Sequence, residues 1–302
     1  MTELLEPVSV IVVNHNAGEL LLECVAVALQ QAQEVIVVDN HSTDASMTAL
    51  AAQFQSEPRI KVIYLSENQG FAAGCNKGIE AATRPHFLFI NPDTIVEAGS
   101  LRRLVQVLDS DASIGMVGGL LTNPDGSEQG GGRRAVPTPW RSFVRAFGLN
   151  RLSAWWPKLF FDFYLHKQPL PSEPIEVEAI SGALMLVRRD AVTDVGLWDD
   201  AYFLHCEDLD WCMRFRQKGW RIVFVPDAPV LHYQGHSSRA RPLFVEWHKH
   251  KGMVRFYRKF FSHQYPGVLM WLVAAAVWVR FSALFAGYWI KRIVARLQAW
   301  SE

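Results

Sequence analysis

Residues 8–15 read VSVIVVNH, a run of β-branched residues that stops abruptly at Asn14-His15-Asn16. Val and Ile favour extended backbone. An apolar run without alternation belongs to a strand covered on both faces, as in a parallel sheet. The pattern recurs in EVIVVDN (34–40), RIKVIYL (59–65) and HFLFINPD (86–93). Helical stretches separate these runs. Leu21, Leu22, Val25, Ala28 and Leu29 share one face over 19–31, residues 44–54 open on Asp44 as a helix cap, and 71–82 are rich in Ala. Alternating strand and helix predicts an α/β doubly wound, mostly parallel sheet. Ligands of such sheets bind beyond the carboxyl ends of the strands. That rule gathers Asn14, Asn16, Asp39, Asn40, Asn91 and Asp93 over one crevice. Each strand end alone is ordinary turn chemistry, since Asn and Asp favour turns, but together they read as a site.

After residue 113 the pattern changes. GMVGGLLTNPDGSEQGGGRR is a strand followed by a hairpin turn at Asp125-Gly126. Residues 133–174 carry Pro, Trp and Phe in no clean period, either as a mobile insertion near an acceptor site or as an irregular packed loop. EVEAISGALMLVRRDAV is a strand entering a short helix, and RIVFVPDAPVLHY (221–233) is a further strand. The chain has 302 residues, enough for one large α/β domain with an appendage. Lys plus Arg balance Asp plus Glu at 30 each, so no global field points to nucleic acid. Cys24, Cys75, Cys206 and Cys212 show no paired spacing and read as reduced thiols of a cytosolic protein. MTELLEPVSV lacks the basic stretch of a signal peptide.

Four segments carry chemistry. In FINPDT, Asp93 at the tip of an apolar strand can ligate a divalent cation through oxygen, with the uncharged Asn91 a weaker neighbour. In NQGFAAGCNKG, Gly70, Gly74 and Gly78 recur at every fourth position, which matches neither common phosphate loop and serves close approach to a sheet or a ligand. LHCEDLDWCMR (204–214) places Glu207, Asp208 and Asp210 near the start of a helix beginning at about 207. The helix dipole explains one such acid, not three behind a His. His205, Cys206 and Cys212 lack zinc spacing. A carboxylate with a like-charged neighbour and partial burial is a plausible general base. In VLHYQGHSS, His232 ends a strand and can complete a metal site with Asp93 or touch a diphosphate, and His236 follows.

The ordered set VSVIVVNHN, VIVVDNHSTD, NQGFAAGCNKGI, FLFINPDT, SGALMLVRRD, GLWDDAYFLHCEDLDWCMRFRQKGW and VLHYQGHSS resembles the family 2 inverting glycosyltransferases, within them the bacterial rhamnosyltransferase-like branch, over about residues 8–260. The resemblance implies a GT-A fold, a nucleotide-diphosphate sugar donor (dTDP-rhamnose first) and Mg²⁺ or Mn²⁺. It makes Asp39 the acid that recognises the base, with Asn14, Asn16 and Asn76 around the nucleotide. It makes Asp93 the last acid of the metal-binding DxD, with Asn91 in place of the first acid and His232 at the metal or diphosphate. Asp208 becomes the catalytic base with Glu207 beside it, and Trp198, Asp199 and Asp200 become acceptor-side candidates. The competing activities are a sugar-nucleotide nucleotidyltransferase, which needs a Gly-rich basic loop where VNHNAGELL has only Gly18, and a non-catalytic glycan-binding protein, which would not need the Glu207-Asp208 pair.

The expected organisation is a catalytic domain over 1–238, with a nucleotide-sugar half to 112 and an acceptor half from 113, and a helical appendage over 239–302. The appendage begins basic, with Arg239, Arg241, Lys249, Lys251, Arg255, Arg258 and Lys259 against Glu246. GVLMWLVAAAVWVRFSALFAGYWI (267–290) follows, with Arg280 its one charge. As a helix it reaches roughly 36 Å, enough for a bilayer core of about 30 Å. Arg280 at mid-length argues for a helix lying on or re-entering the membrane ahead of a clean span or a helix packed on the domain or a dimer mate. The chain is thus expected at the cytoplasmic face of the membrane, with a cell-surface glycan or lipid-linked acceptor, no nucleic acid, and homo-oligomerisation open.

Overall fold

The computed structural model describes residues 4–233 and 241–301. His236 and Arg239, and the expected domain boundary at 238, lie outside the described residues. The first half alternates strand and helix as its sequence dictates: β1 (Glu6–Asn14), α1 (Leu20–Gln31), β2 (Ala32–Asp39), α2 (Ser46–Gln53), β3 (Ile60–Tyr64), α3 (Phe71–Ala81) and β4 (His86–Ile90). Then come β5 (Thr94–Val96), α4 (Ser100–Asp109), β6 (Ile114–Thr122), β7 (Arg133–Arg134), α5 (Pro139–Ala146), β8 (Ile175–Glu176), β9 (Ala179–Ile180) and β10 (Leu184–Arg188). The chain continues through α6 (Arg189–Val195), α7 (Glu207–Gln217), β11 (Arg221–His232), α8 (Pro242–Phe261) and α9 (Gly267–Ser301).

The main sheet runs β3-β2-β1-β4-β10-β6-β11-β5, with β8 also on β11. Neighbours from β3 to β4 are parallel, β10 is antiparallel to both β4 and β6, β6 and β11 are parallel, and β5 is antiparallel to β11. This is the mostly parallel mixed sheet expected. Period-2 alternation sends Val8, Val10 and Val12 of β1 into one core layer and Ile11 and Val13 into the other. On the first face α1 contributes Leu21 and Val25, and α4 contributes Leu101, Leu104 and Leu108. On the second face α3 lies close because Gly74 and Gly78 leave room: a Cβ there would come within 2.6 Å of Val13 and 2.3 Å of Ile11. The glycine spacing of α3 therefore serves the sheet.

Three expectations need correction. β3 is not buried on both faces; it forms the sheet edge, and Lys61, Val62 and Tyr64 are exposed. The second helix starts at Ser46, with Asp44 outside it accepting the Ser46 N–H at 3.1 Å. Residues 133–174 are neither loop alone nor one element, since they hold β7, α5 and two short 3₁₀ turns. The turn at Asp125-Gly126 does form, with Gly126 at φ 81° and Thr122 bridging Glu128 antiparallel.

The C-terminal helices do not stand apart. Phe256, Tyr257, Phe260 and Phe261 of α8 are buried in the second core layer. Arg255 and Lys259 pair with Asp199, and Lys259 also reaches Asp210 of α7 at 2.6 Å. Across α9, Trp278 packs on Trp247 with ring centroids 5.0 Å apart. The outer face of α9 exposes Val268, Trp271, Leu272, Val279, Phe285 and Ile290. Residues 267–294 are long and apolar enough, by length and composition, to cross a membrane. Arg280 turns away from that face: its Nη1 donates to His250 Nε2 at 2.8 Å, the His250 Nδ1–H being taken by the Glu246 carbonyl at 2.6 Å.

Candidate functional site

A cleft of ≈ 1280 Å³ opens at the carboxyl ends of β1, β2 and β4 and is closed on its far side by α7 and α8. Two polar corners meet in it. The first is made by sheet register. β11 runs antiparallel to β5 with His232 opposite Thr94, and the Tyr233 N–H donates to the Asp93 carbonyl at 3.0 Å, so His232 arrives beside Asp93. Gln129 fixes the imidazole. Its Nε2 donates to the His232 carbonyl at 3.3 Å and to Asn123 Oδ1 at 3.0 Å. A backbone carbonyl only accepts, so Gln129 Oε1 must be the atom that takes the His232 Nδ1–H at 2.6 Å. In the neutral ring Nε2 then carries a lone pair, 3.3 Å from Asp93 Oδ1 and 3.4 Å from Asn91 Nδ2. A carboxylate oxygen and an imidazole nitrogen this close can share a cation. Among the described residues, no three His, Cys, Asp or Glu side chains converge as a metal cage. This corner therefore fits a divalent ion that takes one carboxylate and one imidazole from protein and completes its shell with phosphate and water.

The second corner is the start of α7. His205 and Cys206 both adopt left-handed backbone, at φ 67° and 72°, which non-glycine residues seldom do. Their turn is gripped from both sides. Gly70, itself at φ 89°, lets the α3 start come so close that a Cβ would lie 2.5 Å from the Phe203 carbonyl, and a Cβ on Gly252 of α8 would lie 2.8 Å from the His205 carbonyl. Burial and the nearby Lys249 charge hold the His205 imidazole down at about 4. Asp208 faces the cleft with its side chain 14 % exposed. Arg134 Nη2 donates to Asp208 Oδ2 in an ion pair, the Gly182 N–H reaches the same oxygen at 3.2 Å, and the Leu209 N–H reaches Oδ1 at 2.8 Å. Glu207 is buried, its Oε2 has no hydrogen-bond partner, and burial plus the Asp208 charge push its carboxyl above the usual range.

That shift fixes a pH dependence. A carboxyl raised in the folded state favours folding at low pH, and the contribution is lost as pH rises from its ordinary 4.5 toward the raised value. Glu207→Gln removes this dependence. Thermal unfolding across pH 5 to about 9 should show a melting temperature that falls less with rising pH in the variant than in the wild type; equal slopes would remove Glu207 as the source.

Of the residues singled out from sequence, Asn16, Asn40, Asn91, Asp93, Glu207, Asp208 and His232 line the cleft, with Gly70, His205 and Cys206 beside them. Others do not reach it because neighbouring backbone and side chains consume their polar atoms. Asn14 is fully buried, donates to Ser46 Oγ at 2.9 Å and Ser42 Oγ at 3.0 Å, and accepts the Ala17 N–H at 3.3 Å. Asp39 lies behind the wall and accepts the Ser42 N–H at 3.1 Å. Asn76 clamps the backbone of Trp198 through both amide atoms, each at 3.0 Å. Trp198 is core, 4.1 Å from Trp211 between ring centroids, Asp199 is held by Arg255 and Lys259, and Asp200 is exposed outside the cleft lining. Asp210, the third acid of that stretch, is fully buried and paired with Arg214 at 2.7 Å. Sequence reasoning did not single out Gln129 and Arg134. Their signal lay in the Gly-rich run QGGGRR (129–134), which lets the chain pass close along the cleft wall.

Comparison with known proteins says which family carries this sheet and cleft. The family profile described as "Glycosyl transferase family 2" matches residues 9–196, and the chain belongs to that family. It is similar to the N-acetylglucosaminyl-diphospho-decaprenol L-rhamnosyltransferase of Mycobacterium tuberculosis, 27% identical over 285 residues that cover 90% of each chain. Rhamnosyltransferase WbbL of Escherichia coli K12 is 26% identical over 159 residues, 51% of this chain and 54% of that one. In fold it is similar to the mannosyltransferase PcManGT of Pyrobaculum calidifontis in complex with GDP-Man and Mn²⁺ (TM-score 0.56, 17% identity, 96% of this chain and 81% of that one). GalNAc-T7 with UDP, GalNAc and Mn²⁺ gives a TM-score of 0.61 at 16% identity, covering 84% of this chain and 48% of that one. The GT-A fold expected from sequence is thus the fold found, and the chain is a glycosyltransferase.

Proposed function

We propose that this enzyme transfers a sugar, L-rhamnose from dTDP-rhamnose being the first candidate, to a hydroxyl of a lipid-linked or cell-surface glycan with inversion at the anomeric carbon. The observation that carries the reading is one cleft holding both Asp208 and the Asp93–His232 corner. The donor diphosphate sits at that corner, where Asp93 and His232 would hold Mg²⁺ or Mn²⁺ and Asn91 lies alongside. When bound, the ion neutralises the charge growing on the departing diphosphate. Asp208 accepts the proton of the acceptor hydroxyl, whose oxygen attacks the anomeric carbon from the face opposite the diphosphate. Arg134 and the Gly182 N–H orient the carboxylate, so that Asp208 is held aimed into the cleft. One carboxylate is enough, since the leaving group needs no proton; a hydrolase would need two opposed ones. Glu207, kept protonated by burial, offers a hydroxyl to the acceptor or the sugar. Asn16 lines the nucleotide end, and Asp39, behind the wall, braces the loop there by accepting the Ser42 N–H. The exposed face of α9 holds the enzyme at the cytoplasmic membrane face, where a lipid-linked acceptor resides. The M. tuberculosis relative's name, with its diphospho-decaprenol acceptor and L-rhamnosyl group, supports both halves of the reading.

The test is a panel of nucleotide sugars with Mg²⁺ or Mn²⁺ and lipid-linked acceptors, scored for product and anomeric configuration. Retention, or no transfer from any deoxyhexose donor, would refute it. Asp93→Ala should lower turnover by about a hundredfold and abolish its recovery when Mn²⁺ is restored after chelation. Full recovery in that variant would remove Asp93 as a ligand.

A further inference from the structure

One wall of the cleft is not used by either corner. Arg241, Val245, Lys249, Met253 and Phe256 follow one another at helical spacing along a single face of α8 and its leading residue, and all line the cleft. Arg280 joins them from α9. The wall is divided. Its cations are Arg241, Lys249 and Arg280; Val245, Met253, Phe256 and Phe244 are apolar. Among the described residues Glu246 is the one acid paired with these cations, 3.6 Å from Lys249 and 4.0 Å from Arg280, so the group keeps a net positive charge. His250 adds none: burial lowers its pKa, and its neutral Nε2 accepts from Arg280. The acids Asp93, Glu207 and Asp208 belong to the corners already described. Helix α9 could have been uniformly apolar, yet its one charge over 267–290 is turned into the cleft while its outer face stays apolar and exposed. Cations beside an apolar wall, on helices with a lipid-compatible outer face, match an amphiphilic anion.

We propose that Arg241, Lys249 and Arg280 form a second anion subsite, which binds the phosphate groups linking an acceptor sugar to its apolar chain. This deepens the reading of the enzyme as a transferase with a lipid-linked acceptor and rests on it. The subsite recognises a phosphate that carries hydrocarbon, with the cations on the phosphate and Val245, Met253 and Phe256 on the first part of the chain. Guanidinium and ammonium donors suit phosphate oxygens, and each charged contact removed from such a site weakens binding by about tenfold or more.

The experiment titrates the full-length detergent-solubilised protein with farnesyl diphosphate, farnesol and inorganic diphosphate, with chelator present so that the Asp93 corner has no metal to bind diphosphate through. Farnesyl diphosphate should bind more tightly than either half-molecule. Lys249→Gln and Arg241→Gln should each raise its Kd about tenfold, and Arg258→Gln, on another face of α8, should leave it unchanged. Arg280→Gln should weaken binding as well, and Lys249→Gln keeps the test decisive if that variant disturbs the packing of α9. Farnesyl diphosphate affinity unaltered by Lys249→Gln and Arg241→Gln would overturn the proposal, as would tighter binding of inorganic diphosphate, which marks a free-phosphate site. Binding to anionic vesicles that falls in these variants while farnesyl diphosphate affinity does not would also overturn it, assigning the cations to a bilayer surface. Release of nucleotide from a sugar donor by the wild type is scored separately, so loss of the subsite and loss of the transferase reading remain distinct outcomes.

Discussion

Replacing Asp208 with Asn should reduce sugar transfer by about three orders of magnitude, the scale of a positioned general base. The substitution preserves volume and leaves an oxygen able to accept from Arg134 or the Gly182 N–H, both of which now meet the carboxylate. Folding and donor binding should therefore persist, since Asp208 touches neither Asp93 nor His232 in the contacts of that corner. The check is threefold: product formation, nucleotide affinity by titration, and unfolding midpoint. Transfer within tenfold of wild type would strip Asp208 of its role. Loss of donor affinity along with turnover would point to a collapsed cleft rather than a missing base.

Trp211→Ala should cost about 4 kcal/mol of folding stability, the usual scale for deleting a large buried aromatic side chain. Trp211 is fully buried one turn inside the helix that carries the acids. Its ring lies 4.1 Å from Trp198, 5.1 Å from Phe215 and 5.4 Å from Phe89 between centroids. Its Nε1 donates to the Gly196 carbonyl at 3.0 Å, and truncation leaves that acceptor only the longer 3.4 Å contact from Arg214 Nη1. Urea unfolding would measure the change. A loss below about 1 kcal/mol would show that Trp198 and Phe215 refill the space.

The parallel half of the fold was legible because its strands have one job. Val8 to Val13 bury both faces, and the helices between carry clean apolar stripes. The polar strand ends were legible as a group, yet their division was not. Asn14 and Asn91 look alike in sequence, but Asn14 spends its amide on Ser42 and Ser46 while Asn91 faces His232 in the cleft. Which of two similar amides meets ligand depends on what the next loop needs, and that is a tertiary fact. The acids divide in the same way: Asp210, two residues after Asp208, points into the core to meet Arg214 and Lys259. Arg134 escaped notice since its partner is 74 residues away and its surroundings have no period. Arg280 was a puzzle in the sequence, a charge in an apolar helix; contact with His250 explains it.

The seat that Gly252 provides for the His205 carbonyl bears on how a soluble fragment of this enzyme should be cut. The sequence invites removal of everything basic and apolar after the last strand as a dispensable anchor. Helix α8, though, forms the floor under the turn that aims Glu207 and Asp208, and its Arg255 and Lys259 neutralise Asp199 and Asp210. A fragment ending before residue 242 would expose four buried aromatic side chains' worth of core surface, left by Phe256, Tyr257, Phe260 and Phe261, and leave the buried Asp210 without one of its cations. A cut in the short turn between 261 and 267 keeps α8 and gives up α9, and with it the Arg280 contact to His250 and the packing of Trp278 on Trp247.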